Sequence, residues 1–239
     1  MNQTVILAAG NGRRIGSRVH GLPKPLCTVG GRPLIDYALN QAVAAGCEEA
    51  VVVIGCGADL LQDYLQRQDA PIEITVVYNP DYHDPNGLSL LAAEPYVQDR
   101  FFLQMADHLF CEPVLGRLAD AAACGNGDMH LLVDREPAFL DEDDATKVRI
   151  TEDRIRAIGK KLVNWDAVDA GYFLLNRSIF DALHVAKAIG EFTVSAGMRR
   201  VAEAGQLVPV EFGGIPWIDV DTRDDWAHAE EVVCVAALA

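Results

Sequence analysis

The chain has 239 residues, half of them hydrophobic, with a formal net charge of −15. This is enough apolar material for a sizeable α/β core, while the charge disfavours nucleic acid and anionic membrane surfaces as partners. No stretch approaches the ~20 apolar residues that span a bilayer, and the apolar run near the N-terminus has no basic residues before it, so a cytoplasmic protein without membrane insertion is expected.

Val5–Ala9 reads as a strand buried on both faces. A glycine-rich loop runs from there to about Pro23. Pro33 then marks a first helical turn, continued at helical spacing by Leu34, Tyr37, Ala38 and Gln41. Glu49–Gly55 is a second strand, Ala58–Gln66 a short helix, and Ile72–Tyr78 and Phe101–Ala106 two further strands. This alternation predicts right-handed βαβ units and a largely parallel sheet. Beyond it come a strand at Met129–Val133, an acidic loop (Asp141, Glu142, Asp143, Asp144) and a hairpin of Lys147–Ile150 with Arg154–Ile158. A strand at Val168–Leu175 follows, then helices near Arg177–Leu183 and Thr193–Ala204. Leu207–Phe212 and Trp217–Val220 are extended, and a last helix starts near Thr222. Its apolar stretch, Trp226–Leu238, buries a face either within the domain or in a homodimer. With no linker, repeat or low-complexity tract, residues 1–239 read as a single domain.

Charge is unevenly spread. No acidic residue precedes Asp36, whereas Arg13, Arg14, Arg18, Lys24 and Arg32 all do, which predicts a local anion site. The six cysteines are scattered without a C-x-x-C pair, so neither zinc spacing nor a disulfide framework is present.

The first loop reads Leu7-Ala8-Ala9-Gly10-Asn11-Gly12-Arg13-Arg14-Ile15-Gly16, then Pro23-Lys24-Pro25-Leu26. Glycines after a buried strand let backbone N–H groups approach a phosphate. Arginine adds a planar fork and lysine a compact charge, the latter restrained by prolines on both sides. The spacing Gly10, Gly12, Gly16 is one residue too long for a dinucleotide fingerprint, and Gly55 stands where its acidic residue belongs. A P-loop G-K-[ST] is absent. The combination resembles the L-A-A-G-x-G-[TS]-R…P-K-P-L signature of sugar-1-phosphate and polyol-phosphate nucleotidyltransferases. That resemblance places Leu7, Ala8, Ala9, Gly10, Gly12 and Arg13 in the nucleotide loop, with Arg14 and Lys24 neutralising the triphosphate. Arg13 departs from the usual Thr or Ser and either adds a phosphate contact or points to solvent.

Asp107 directly follows an apolar strand, at the sheet edge where α/β proteins bind ligands. Asp219 and Asp221, two apart in extended chain, face one side. Carboxylates suit Mg²⁺, and the resemblance makes these three the metal aspartates. Asp221 or Thr222 alternatively caps the last helix, with Asp225 completing a capping box.

Further motifs follow in order: Asn86-Gly87-Leu88-Ser89, Met105-Ala106-Asp107-His108, Asp134-Arg135-Glu136-Pro137, Ala145-Thr146-Lys147 and Val168-Asp169-Ala170-Gly171-Tyr172. With Trp217–Thr222 they resemble the CTP:inositol-1-phosphate cytidylyltransferases over essentially the whole chain. The resemblance implies a three-layer Rossmann-like (GT-A-like) α/β fold with a mostly parallel mixed sheet, CTP and a phosphorylated polyol as substrates, and Mg²⁺. Some members carry a membrane-embedded domain that uses the CDP-inositol product; here such a partner would be a separate enzyme. Asn86, Gly87 and Ser89 either contact the base or ribose or cap a short helix. Lys147 is a candidate for the acceptor phosphate, and Asp134, Glu136 and Asp169 for acceptor hydroxyls. His108 is read as orienting Asp107. The alternatives are another phosphorylated acceptor (a sugar-1-phosphate, phosphocholine or an aminoalkylphosphonate) or a nucleotide sensor without turnover.

Overall fold

The computed structural model describes residues 2–12, 14, 21–123, 128–139 and 141–236. Arg13, Gly16, Arg18 and Leu238 lie outside the described residues.

The N-terminal half is a run of parallel strands joined by helices. Strand β1 (Gln3–Ala8) precedes the short pair β2 (Thr28–Val29) and β3 (Arg32–Pro33), then α1 (Leu34–Ala44). Next come β4 (Glu49–Ile54), α2 (Ala58–Gln66), β5 (Glu73–Tyr78), α3 (Gly87–Ala93) and β6 (Arg100–Met105). β1 is flanked by β4 and β6, and β4 by β5, all in parallel. The continuous Val/Ile/Leu character of β1 and β4 follows from burial on both faces. Val5 and Leu7 enter one core, Ile6 and Ala8 the other. One core is closed by α3 with α5 (Ser178–Ala188) and α6 (Val194–Glu203), the second by α1, α2 and α4 (Gly116–Ala122). The result is three layers, helix–sheet–helix.

The other half holds β7 (His108–Phe110), β8 (Met129–Asp134), β9 (Lys147–Thr151), β10 (Arg154–Gly159), β11 (Ala167–Asn176), β12 (Leu207–Glu211), β13 (Trp217–Asp219) and α7 (Arg223–Ala236). β11 makes the sheet mixed, running antiparallel to β6, β8 and β9. The β9–β10 hairpin turns on Glu152 and Asp153, both left-handed at φ 52° and 57°, as a two-residue turn requires. A third, smaller core joins α7 to β2, β7 and β13 through Val29, Leu109, Ile218, Val220, Ala229 and Val232. It packs α7 against the two small two-stranded sheets, β2–β3 and β7–β13.

The sequence reading omits α4, β7 and the β2–β3 pair, and α5 extends to Ala188 rather than Leu183. Pro33 stands just before α1, at its cap. Among the described residues, no helix is long and apolar enough to cross a membrane.

Candidate active site

A cleft of about 740 Å³ opens where β6 and β13 end and β11 begins, lined by Arg14, Asn86, Asp107, His108, Lys160, Asp169 and Asp219 among others. Behind that lining, bonded to Asp107 and Asp221, lies Lys24. Pro23 and Pro25 enclose it in a single tight turn, closed by Leu26 N–H donating to the Pro23 carbonyl at 2.9 Å. The lysine is buried, and its Nζ lies 2.6 Å from both Asp107 Oδ2 and Asp221 Oδ1.

Both carboxylates are fixed by backbone. Ala106 N–H donates to the Leu7 carbonyl, and Val220 N–H to the Asp107 carbonyl, so the ends of β1, β6 and β13 are pinned together. Asp225 Oδ2 accepts from the N–H groups of Asp221 and Thr222, and Thr222 Oγ1 accepts from Asp225 N–H. This reciprocal cap starts α7. It leaves the Asp221 carboxylate free to hold Lys24 with one oxygen and Arg14 with the other. Arg14 also pairs with Asp144, which in turn pairs with Lys160 across the cleft.

The electrostatics follow from burial against charge. Burial works against the Lys24 ammonium, but Asp107, Asp221 and Asp219 outweigh it and hold its pKa above the ordinary lysine value. Burial likewise opposes the Asp107 charge, and Lys24 and His108 overcome it, keeping the carboxyl well below the usual range. His108 is pulled up to about 9 by Asp219 and Asp107 against its desolvation. Asp219 is pushed up to about 7 by burial, with the charges of Asp107 and Asp221 adding to it. Burial also raises Asp169 to about 6, although its Oδ1 accepts from Gly171 N–H at 2.8 Å.

His108 is closely packed. Trp217 stacks on the ring, with centroids 5.7 Å apart, and donates Nε1–H to Asp134 Oδ2 at 2.7 Å. Gly171, at φ 76°, also packs closely against the His108 ring. Its Nδ1 lies 3.1 Å from Asp107 Oδ1 and 3.8 Å from Asp219 Oδ1. Among the described residues these three form one group whose ligand atoms all lie within 4.8 Å of one another. Asp219 Oδ1 is buried and accepts no hydrogen bond. Such a donor set fits a divalent cation. Asp221 lies outside this group, with one oxygen meeting Lys24 and the other Arg14.

The remaining sequence-predicted residues divide. Leu7, Ala8 and Ala9 are buried, with side chains in the cores, while Gly10 is exposed and Gly12 takes φ 54°. Asn86 lines the cleft and accepts from Val194 N–H at 3.0 Å, fixing the start of α6. Gly87 donates to the Phe192 carbonyl, and a Cβ there would come within 2.5 Å of that oxygen. Ser89 is buried and accepts from Asn79 Nδ2. Gly87 and Ser89 are thus committed to packing around α3. Lys147 requires a correction: its ammonium is buried and donates to the carbonyls of Glu142 and Lys160, anchoring the acidic loop instead of lining the cleft. Lys160, which the sequence reading passed over, lines the cleft in its place. Asp134 faces Trp217 and the Glu136 N–H, and Glu136 is exposed outside the lining, so neither is brought to the cleft wall. Asp169 is.

Residues 4–209 match the family model of the MobA-like NTP transferase domain. Over 231 residues the chain is 36% identical to the bifunctional IPC transferase and DIPP synthase of Rubrobacter xylanophilus, covering 95% of this chain and 51% of that protein. The protein of the same name from Archaeoglobus fulgidus is 34% identical over 236 residues, covering 99% of this chain and 44% of that protein. The chain therefore spans about half the length of these relatives. The structure of the inositol-1-phosphate CTP transferase from T. maritima superposes with a TM-score of 0.87 at 26% identity, covering 99% of this chain and 96% of that one. A match of this extent, on a three-layer sheet with its carboxylates at the strand ends, means that the chain belongs to the MobA-like NTP transferase domain family.

Proposed function

We propose that this chain transfers CMP from CTP to inositol-1-phosphate, giving CDP-inositol and pyrophosphate. The observation that carries the reading is the convergence of Lys24 and Arg14 on one carboxylate, Asp221, beside the cleft. Two cations held at one point suit a triphosphate. The choice of base and acceptor rests on the names borne by the relatives from R. xylanophilus, A. fulgidus and T. maritima. Those names also join the transfer to a synthase, and CDP-inositol made here is proposed to feed such an activity.

In the transfer, an oxygen of the acceptor phosphate attacks the α-phosphorus in line. A new P–O bond forms, the bond from the α-phosphorus to the bridging oxygen breaks, and its electron pair leaves with pyrophosphate. The attacking phosphate is already anionic, so no base is required. Alignment and charge neutralisation then carry the rate. Lys24 and Arg14 offset the triphosphate charge, and the glycine-loop N–H groups add donors. Lys160, from the opposite wall, takes the acceptor phosphate, and Asp169 takes a polyol hydroxyl. A divalent cation held by Asp107 and Asp219, Mg²⁺ on the preference of carboxylate sites, would supply further neutralisation of the phosphate charge.

The test is pyrophosphate release with Mg²⁺, crossing CTP, UTP, ATP, GTP and dTTP with inositol-1-phosphate, glucose-1-phosphate, phosphocholine and 2-aminoethylphosphonate. Release confined to CTP with inositol-1-phosphate is expected. Release with a different pair would overturn the substrates and keep the chemistry; silence across the grid would overturn the transfer itself.

A further inference from the structure

The sequence reading gives His108 only the task of orienting Asp107, and its geometry exceeds that task. His108 opens β7 and pairs directly with Asp219 of β13 across an antiparallel ladder. Asp107 lies in the turn just before it. Neighbouring residues of a regular strand point to opposite faces. Here the turn brings both side chains to one place, with Asp219 as the third corner.

The distances lie close to those of a ligand set. Two donors bound to one ion at about 2.0–2.2 Å stand roughly 3–3.6 Å apart in octahedral or tetrahedral arrangements. His108 Nδ1 lies 3.1 Å from one partner oxygen and 3.8 Å from the other. The oxygens on those sides are also clear of Lys24 and Arg14. Asp107 gives Oδ2 to Lys24, and its Oδ1 shares a hydrogen bond with His108 Nδ1 that an ion seated between the two would replace. Asp219 Oδ1 is buried with no donor to meet it, a cost that a bound cation removes. The ring is confined, because Trp217 stacks on it and the Gly171 backbone packs closely against it.

We infer that His108 is a direct metal ligand with Asp107 and Asp219, and that its nitrogen makes the site rank Mn²⁺ and Co²⁺ above Mg²⁺. Mg²⁺ demands oxygen donors and parts reluctantly with water, whereas imidazole suits first-row transition ions. A site of carboxylates alone, which suits Mg²⁺ and Mn²⁺ alike, ranks them more weakly. Mg²⁺ at millimolar abundance still occupies the centre, but the transition ions bind it at lower concentration.

The inference rests on reading this cleft as the transferase centre, yet its test uses neither CTP nor acceptor. Mn²⁺ binding to the whole, metal-stripped chain is followed by the loss of the free-ion EPR signal, and competition with Mg²⁺ gives the ratio of affinities. The expected ratio is about tenfold or more in favour of Mn²⁺, falling to within about threefold in His108→Asn, which puts an oxygen where Nδ1 was. Pulsed EPR on the unaltered protein provides a second measurement that needs no variant. Modulation from a directly bound ¹⁴N is expected with Mn²⁺, and it disappears in His108→Asn. Absence of that modulation, or an unchanged ratio in His108→Asn, overturns the inference. Nucleotide transfer with either of those results would leave the proposed function intact, and His108-dependent Mn²⁺ binding without transfer would sink the function alone.

Discussion

Gly171 forms a wall against the imidazole of His108: a Cβ at that position would lie 2.3 Å from Cδ2, and the backbone there is left-handed at φ 76°. Only glycine combines this conformation with this approach. The bulge it creates in β11, where the pairing with β8 shifts between Asp169 and Phe173, also turns the Asp169 carboxylate back onto the Gly171 N–H. Gly171→Ala is therefore expected to cost about 1–3 kcal/mol of stability and to displace His108 from Asp107. Chemical denaturation measures the first effect; a midpoint equal to that of the unaltered protein would show that the ring yields freely.

Lys24→Ala removes the buried cation shared by Asp107 and Asp221. Under the proposed transfer, turnover falls by about 10²–10³, as with loss of one transition-state donor. Arg14→Ala is expected to act similarly, but with less effect on stability because its side chain is half exposed. Turnover within a few-fold of the unaltered enzyme, in either variant, would remove that residue from the chemistry.

Lys147 and Lys160 are expected to separate cleanly. Lys147→Ala removes a buried ammonium and its two part-buried hydrogen bonds and is expected to cost about 1–3 kcal/mol. Lys160→Ala, at a side chain 53% exposed, leaves the denaturation midpoint nearly unchanged and raises the acceptor KM by about tenfold. Measuring midpoint and KM for both variants decides the assignment. A KM effect confined to Lys147→Ala would reverse it.

Acid sensitivity has an identifiable source away from the cleft. His130 in β8 is buried, with Nδ1 lacking a partner among the described residues, and burial together with the charge of Arg100 lowers its pKa. As pH falls below the ordinary histidine value of about 6.5, the unfolded chain takes up a proton that the folded chain refuses. Stability is thus fully present above that value and is lost as pH falls through the range beneath it. His130→Asn lacks this titration. Its stability between pH 7 and pH 5 should decline less steeply, by at most about 1.4 kcal/mol per pH unit. Parallel declines would assign the sensitivity to other groups.

The elements most open to reading from sequence were those whose signal is local. The apolar runs of β1, β4 and β6 and the helix Ala58–Gln66 come within two residues of the structure, and Pro-Lys-Pro marks a restrained lysine whatever surrounds it. Lys147 was hidden for a tertiary reason. It sits beside Val148 and both are buried, so strand alternation fails there; the acidic loop folds back to cover the ammonium. Lys160, just past β10, shows no pattern at all, and only the hairpin's placement brings it opposite Arg14. His108 was visible as a neighbour of Asp107. Its place facing Asp219 depends on pairing between β7 and β13, strands of three residues each and separated by more than a hundred in sequence. The cap of α7 was read as an open alternative because Asp221, Thr222 and Asp225 satisfy the pattern equally; hydrogen-bond geometry alone shows that Thr222 and Asp225 form it.

Strand β11 is shared between two parts of the sheet. Its last five residues pair with β6, beside the glycine loop, whereas its first two pair with β9 of the hairpin that leads to Lys160. The hairpin joins β11 through the pairs Ala167–Val148 and Val168–Lys147, and Val148, Ile155 and Ile158 bury it in the core that α6 closes. Because one strand serves both neighbours, a change that slips the register of β11 would disturb the hairpin and the edge of β6 together.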